Sequence, residues 1–285
     1  MSTQLAGAGK NKALRPVTIR NLQRFKEDGR KIVCLTAYDY TFARLVDQAG
    51  VDLVLVGDSL GNVIQGHGTT IPVTLEDIIY HSRAVQRGLH RAHLVGDMPF
   101  MTYQVSTEQA MQNAARLVRE GGCQSVKLEG GRERAEAVAR LTGAGIPVMG
   151  HLGLTPQSIH QLGGHRVQGR EDEAHKRIVE DALILQDAGA YAIVLECVPE
   201  ELGNEITRAL RIPTIGIGAG AGCDGQILVI QDMLGLLGDF KPRFVRRFAQ
   251  LGDAVLDALE QYGQEVRGGT FPSAAETYDP VQVAS

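Results

Sequence analysis

The sequence predicts an α/β fold, a (β/α)₈ TIM barrel in a single domain, on three observations. A unit of helix, glycine and short apolar run recurs along the chain. Eight strand-like runs alternate with helical stretches, which implies βαβ units. The length of 285 residues suits one α/β barrel of about 250 residues.

The elements follow in order. The first strand candidate is Lys31 to Thr36. The repeat is clearest at Gln48 to Asp58, Glu120 to Gly130, Gly143 to Gly153 and Asp187 to Cys197. In each, glycine supplies the left-handed residue after a helix. The run that follows is too short for a helix and too continuously apolar for a one-sided strand, so it suits a strand buried on both faces. His93 to Met98, Thr214 to Gly218 and Gln226 to Ile230 bring the strands to eight. Among the helices, Val105 to Glu120 opens with a capping box, Ser106 to Gln109. Ala110, Ala114, Leu117 and Val118 follow at helical spacing. Thr74 and Asp77 form a weaker box before Ile78, Ile79 and Val85. Ala174 to Ala188 carries Ile178, Ala182 and Leu185 on one face, and Arg243 to Tyr262 reads as a closing helix. These boundaries give a loose polar leader over 1–17, a barrel over 18–265 and a tail over 266–285. Periodicity alone leaves an open doubly wound sheet as the alternative.

Composition narrows the function classes. With 44% hydrophobic and 22% charged residues, the chain is not mainly disordered. A net charge of −4 offers no basic surplus to neutralise phosphates, so nucleic acid is not an expected partner. No apolar run reaches the roughly 18 residues that span a membrane. The first residues lack the apolar core of a secretory signal, which makes the cytoplasm the expected location. Cys34, Cys123, Cys197 and Cys223 form no C-x-x-C pair, so the common zinc spacing is missing. They read as reduced, partly buried thiols.

In such a barrel the chemistry sits where the strands end. The second strand candidate ends in Asp58-Ser59 and the third in Asp97. The fourth carries Lys127 and ends in Glu129, the fifth ends in His151, and the sixth in Glu196. Asp58, Asp97 and Glu129 would repel one another severely without a cation. Oxygen-only donors favour a hard ion such as Mg²⁺, which takes one or two carboxylates directly and keeps water, so at least one of the three acts through water. Each acid also has an ordinary reading. Asp58 serves equally as a turn cap before Gly61, Glu129 as turn chemistry before Gly130, and Asp97 as a turn residue before Pro99. The case rests on three consecutive strands ending alike. Lys127 and Glu129 share a strand face two residues apart; inward, Lys127 is a buried cation needing an anion, and outward it is a surface lysine. His151 is an orienting residue or a structural histidine. Glu196 follows four apolar residues, a desolvated setting that suits a general base; its ordinary role is an acid at a helix N-terminus. The glycines from Gly216 to Gly222 suit either a phosphate loop or tight backbone packing. His67 lies on a loop near the expected site.

Taken together, these segments resemble the ketopantoate hydroxymethyltransferase (3-methyl-2-oxobutanoate hydroxymethyltransferase) family. The resemblance is carried by TAYD from Thr36, VGDSLG from Val56, GHGTTIPVTLED from Gly66 and GDMPF from Gly96. It continues through VKLEGG from Val126, GHLGLTPQS from Gly150, VQGR from Val167, ECVPEEL from Glu196, IGIGAG from Ile215 and CDGQILV from Cys223. These stretches run in order from about Thr18 to Pro272. The resemblance implies a (β/α)₈ barrel that uses Mg²⁺, with 5,10-methylenetetrahydrofolate as co-substrate, in pantothenate and coenzyme A biosynthesis. It implies metal binding through Asp58 and Asp97 with Glu129 as third acid. It also implies oxo acid binding by Asp58, Ser59, Asp97 and Lys127, and Glu196 as proton acceptor. Family members commonly form decamers, so a homo-oligomer is expected. His165 departs from the pattern, where an aromatic residue is expected, and no folate motif maps onto this chain.

The implied reaction removes the C3 proton of 3-methyl-2-oxobutanoate, forms an enolate stabilised by the metal, and adds the folate-borne carbon to it. The nearest alternative is another Mg-dependent carbon–carbon lyase of the pyruvate/phosphoenolpyruvate-binding barrel class. More distant ones are a phosphate-binding barrel isomerase and a non-enzymatic binding protein.

Overall fold

The computed structural model describes residues 15–238 and 242–278. Most of the expected leader, residues 1–14, lies outside them. The chain divides into two compact units, Met1–Ile230 and Gln231–Ser285.

The first unit is a closed parallel barrel. Strands β1 (Ile32–Thr36), β2 (Leu53–Val56), β3 (His93–Asp97), β4 (Ser125–Glu129), β5 (Val148–Gly153), β6 (Ala192–Glu196), β7 (Thr214–Ile217) and β8 (Gly225–Leu228) pair in sequence order. β8 returns to β1, with Cys34 opposite Ile227. Closure removes the doubly wound sheet as an alternative. Helices α1 (Ile19–Glu27), α2 (Tyr40–Gln48), α3 (Leu60–Val63), α4 (Leu75–Gly88), α5 (Thr107–Arg119), α6 (Ala135–Gly143), α7 (Ile159–Leu162), α8 (Asp172–Asp187) and α9 (Glu200–Ala209) occupy the connections and the amino-terminal approach. The eighth strand stops short of Ile230. That residue instead starts α10 (Ile230–Leu234), and its amide donates to Thr36 Oγ1 at 3.1 Å.

The two capping boxes come out in the reverse order of strength. Thr74 and Asp77 cap α4 reciprocally. At α5 the Ser106 hydroxyl accepts from Gln109 N, but the Gln109 side chain accepts from Val105 N, one residue outside the box.

Parallel strands buried on both faces still alternate inward and outward. The inward set is Ile32 and Cys34 on β1, Leu53 and Leu55 on β2, Val95 on β3, Met149 on β5, Ala192 and Val194 on β6, Ile215 on β7 and Ile227 on β8. Val17 and Leu22, before and within α1, join this cluster. The alternation then carries Asp97, Lys127, Glu129, His151 and Glu196 into the same phase at the carboxyl ends of their strands. The four cysteines are unpaired; Cys34, Cys123 and Cys223 are buried and Cys197 is half-buried.

In the second unit, α11 runs over Leu251–Gly268, later than the expected Arg243 to Tyr262. Residues 243–250 form turns because their partners lie outside a helix. Val245 N donates to Pro242 O, Phe248 N to Met233 O, and the Arg247 guanidinium to the Leu237 and Gly238 carbonyls. Gly269, at φ 71°, ends the helix, past the boundary drawn at 265. Val255, Leu256, Leu259, Tyr262 and Val266 on α11 are exposed. Among the described residues no helix is long and apolar enough to cross a membrane.

Candidate active site

The polar residues singled out at the strand ends meet inside one mouth of the barrel. Lys127 points inward and is 4% exposed, which removes the surface reading. Its Nζ spans both oxygens of Asp97, at 2.7 and 2.8 Å, and lies 3.7 Å from Glu129 Oε1. Asp97 Oδ2 also accepts the Asp58 amide at 3.1 Å. Asp58 Oδ2 accepts from Gln157 Nε2 at 3.0 Å. Glu129 accepts from Gln157 N at 3.1 Å and pairs with His151 Nδ1 at 3.2 Å. His151 Nε2 in turn stands 3.2 Å from Glu196 Oε2, off the line of a hydrogen bond. Ser59, half-buried at the start of α3, has its Oγ 2.8 Å from the Tyr38 hydroxyl.

These contacts bear on the ordinary readings of Asp58, Glu129 and Glu196. α3 takes no side-chain cap from Ser59, and the Asp58 carboxylate faces Gln157 instead of a helix end. The Glu129 oxygens go to His151 and Gln157, not to the turn after it. α9 has Pro199 at its N-cap, so Glu196 is not a capping acid.

The site is over-supplied with negative charge. Burial, then Asp97 and Glu129, push the Asp58 carboxyl up to about 8. Burial pulls Lys127 down, but Asp97, Glu129 and Asp58 together hold its ammonium above the ordinary lysine value. Burial would raise Glu129, yet the His151 hydrogen bond and Lys127 keep it below the usual range. Burial and Lys127 pull His151 down; its contacts with Glu129 and Glu196 outweigh them and lift it to about 9. The two ring nitrogens of His151 thus each face a carboxyl oxygen at 3.2 Å, Glu129 Oε1 on one side and Glu196 Oε2 on the other.

The backbone around Glu196 is tightly specified. Leu154 N donates to Glu196 O at 2.8 Å, and Cys197 N donates to Ile217 O at 2.9 Å. Cys197 adopts φ 48°, a left-handed conformation costly for a residue with a Cβ. Gly153, at φ 91°, packs so closely that an added Cβ would collide with the Glu196 carbonyl and meet Val198 Cγ1 at 2.8 Å. Gly153→Ala is therefore expected to lose about 1–3 kcal/mol of stability and to displace Glu196. Thermal unfolding and the proton-exchange rate of the variant check both effects.

Other sequence candidates are exposed or serve packing. His67 and His165 are exposed. The glycines after β7 allow close packing on α9. A Cβ at Gly220, which has φ 82°, would meet the Glu200 side chain, and one at Gly222 would collide with Asn204. Sequence reasoning missed Gln157, Tyr103 and Tyr38. Gln157 lay within the quoted GHLGLTPQS stretch, but no local period marks a loop glutamine as buried.

Among the described residues no group of three or more His, Cys, Asp or Glu side chains forms a ready metal cage. The donors still fit a hard divalent cation. The Gln157 hydrogen bond to Asp58 falls on Oδ2 and not Oδ1, and the carboxylate oxygens of Asp97 keep lone pairs beyond those facing Lys127.

Comparison with known proteins agrees with this architecture. The sequence profile of the family described as Ketopantoate hydroxymethyltransferase matches residues 16–274. The chain is 53% identical to the 3-methyl-2-oxobutanoate hydroxymethyltransferase of Syntrophus aciditrophicus (strain SB), covering 98% of this chain and 100% of that protein. It is 56% identical to the enzyme of the same name from Anaeromyxobacter sp. (strain Fw109-5), over 93% of this chain and 88% of that one. Among solved structures, 2,3-dimethylmalate lyase, a PEP mutase/isocitrate lyase superfamily member, aligns with a TM-score of 0.58 at 18% identity, over 92% of each chain. Phosphonopyruvate hydrolase aligns with a TM-score of 0.59 at 13% identity, over 93% of this chain and 92% of that one. At those identities the likeness is one of fold. A profile matched across the barrel and relatives more than half identical over nearly the whole length carry more weight: this chain belongs to the ketopantoate hydroxymethyltransferase family.

Proposed function

We propose that this chain transfers a hydroxymethyl group from 5,10-methylenetetrahydrofolate to 3-methyl-2-oxobutanoate, yielding 2-dehydropantoate and tetrahydrofolate, with Mg²⁺ as cofactor. The supporting observation is the buried run Asp58, Asp97, Lys127, Glu129, His151 and Glu196 across five adjacent strand ends, an excess of carboxylates with a partly exposed acid at its edge. Asp58 and Asp97 would hold the magnesium ion, with Glu129 acting through water. When bound, the ion supplies Lewis acidity toward the keto oxygen and neutralises the charge that holds Asp58 up.

The side chains supply the rest. Lys127 and Ser59 orient the oxygens of the 2-oxo acid, and Lys127 offsets negative charge as it develops there. Glu196, with 15% of its side chain exposed, takes the C3 proton. His151, 3.2 Å from Glu196 Oε2, orients that carboxyl group toward the mouth. The C3–H electron pair then forms the new bond to the folate-borne carbon as that carbon's bond to one folate nitrogen breaks; water supplies the hydroxyl oxygen as its bond to the second nitrogen breaks, and the two nitrogens of tetrahydrofolate end with the protons from C3 and from water. Exposed apolar side chains on α11 support the reading of a homo-oligomer that covers them.

Chelation should abolish product formation from the two substrates, and added Mg²⁺ should restore it. Asp58→Asn and Asp97→Asn should keep the fold, weaken magnesium binding, and lose most activity. Full turnover in a thoroughly metal-free preparation would remove the metal from this reading. Turnover without folate would move the chain toward the lyase alternative.

A further inference from the structure

Gln157 stands in the single turn Pro156–Ser158 after β5 and is 4% exposed. Every hydrogen-bonding position of its side-chain amide is used. Nε2 donates to Asp58 Oδ2 and to the Met98 carbonyl, both at 3.0 Å. Oε1 accepts from the Tyr103 hydroxyl at 2.7 Å and from Gln104 Nε2 at 3.2 Å. Its backbone amide donates to Glu129 Oε2 at 3.1 Å.

The direction of each bond is determined. Tyr103, itself 2% exposed, accepts from Glu129 N at 3.1 Å, so its own proton goes to Gln157 Oε1. Turning the amide over would set its oxygen against a carboxylate and a carbonyl, and its NH₂ against the Gln104 donor. A buried amide left half-satisfied is strongly unfavourable, so the orientation is locked. The result is a tie across the mouth. One oxygen of Asp58, at the end of β2, and one of Glu129, on β4, are held by the same residue from the β5 loop. The tie falls on Asp58 Oδ2 and leaves Oδ1 outside it.

We propose that Gln157, locked by Tyr103, is a positioning residue that holds Asp58 with Oδ1 free for a ligand, and so sets the affinity of the site for a divalent cation and the oxo acid. This rests on the magnesium reading above. Groups that orient metal ligands are typically worth about 10- to 100-fold in metal affinity or activity.

The test is a Mg²⁺ binding isotherm on the intact protein without substrates, on wild type, Asp58→Asn, Gln157→Met and Tyr103→Phe, with thermal unfolding of each. Methionine keeps the length of glutamine and removes both halves of the amide. The expected result is Mg²⁺ binding weakened by about 10- to 100-fold in Gln157→Met, with a parallel rise in KM for the oxo acid. Tyr103→Phe leaves the Asp58 bond but unlocks the amide, and should weaken binding in the same direction by less. A purely structural latch would lower the melting temperature of both variants while the folded protein bound Mg²⁺ as tightly as wild type, which overturns the proposal. If Gln157→Met does not fold, Tyr103→Phe decides: wild-type Mg²⁺ affinity and oxo acid KM overturn the proposal. Asp58→Asn separates the two readings. If wild type binds no Mg²⁺, or Asp58→Asn binds it equally well, the magnesium reading falls and takes this proposal with it. If Asp58→Asn fails to bind while Gln157→Met binds normally, only the positioning role is lost.

Discussion

Glu196→Gln is expected to slow exchange of the C3 proton of 3-methyl-2-oxobutanoate in D₂O by about 10²- to 10⁴-fold, the contribution of a well-placed general base. Exchange needs the base but not the folate, so it isolates the proton step. Glutamine has nearly the volume of glutamate and still accepts a hydrogen bond, but takes up no proton at neutral pH. Oxo acid and Mg²⁺ binding should persist, because their proposed ligands, Asp58, Asp97 and Lys127, are on other strands. The alternatives give distinct results. A structural role for Glu196 would lower stability and leave exchange near normal. A ligand role would lose magnesium and exchange together. Normal exchange in the folded variant would transfer the base role elsewhere, with His151 the next residue to replace.

Lys127→Met should produce the largest loss of stability. Lys127 faces both oxygens of Asp97 and lies near Glu129, all of them buried. Removing one partner of a buried ion pair costs about 3–5 kcal/mol, because the remaining charge is uncompensated. The effect should depend on pH in metal-free protein. Asp58 is raised from 3.8 to about 8 by burial, Asp97 and Glu129. A group raised in the folded state contributes stability that is present below its unfolded value and is lost as pH rises through its folded value. His151, lifted from 6.5 to about 9, changes stability in the same direction. Metal-free wild type should thus lose stability from about pH 4, near the unfolded value of Asp58, to about pH 9, the folded value of His151, and Lys127→Met should deepen that loss by adding an uncompensated carboxylate. Thermal unfolding in chelator across this range checks both. A variant as stable as wild type at about pH 9 would contradict the buried-pair assignment.

Much of this was legible in the sequence because the signals are local. Glycine after a helix, β-branched runs and reciprocal caps each depend on neighbours within a few residues, and all eight strands follow from them. The acids at strand ends were legible for the same reason, since a strand that stops at a polar residue is a local event. The misreadings were local signals overruled from a distance. The start expected for the closing helix at Arg243 was overridden by hydrogen bonds from Phe248 to Met233 and from Arg247 to Leu237. The box at Ser106 was half undone when the Gln109 side chain turned to Val105 and Met101.

The sequence by itself determined the α/β class, the succession of eight strands along the chain, and that Lys127 and Glu129 lie on one face, because a strand repeats every two residues. Which face that is was decided by closure of the barrel, since only pairing β8 with β1 gives the sheet an inside. Closure also made neighbours of residues far apart in the chain. Asp58 and Gln157 are 99 positions apart and share a hydrogen bond, and His151 joins Glu129 to Glu196. Burial in that closed interior makes three ordinary carboxylates an electrostatic problem that Lys127 and His151 only partly solve. Charge, distance and desolvation act through space, and so the chemistry of the site emerges only when the chain has folded.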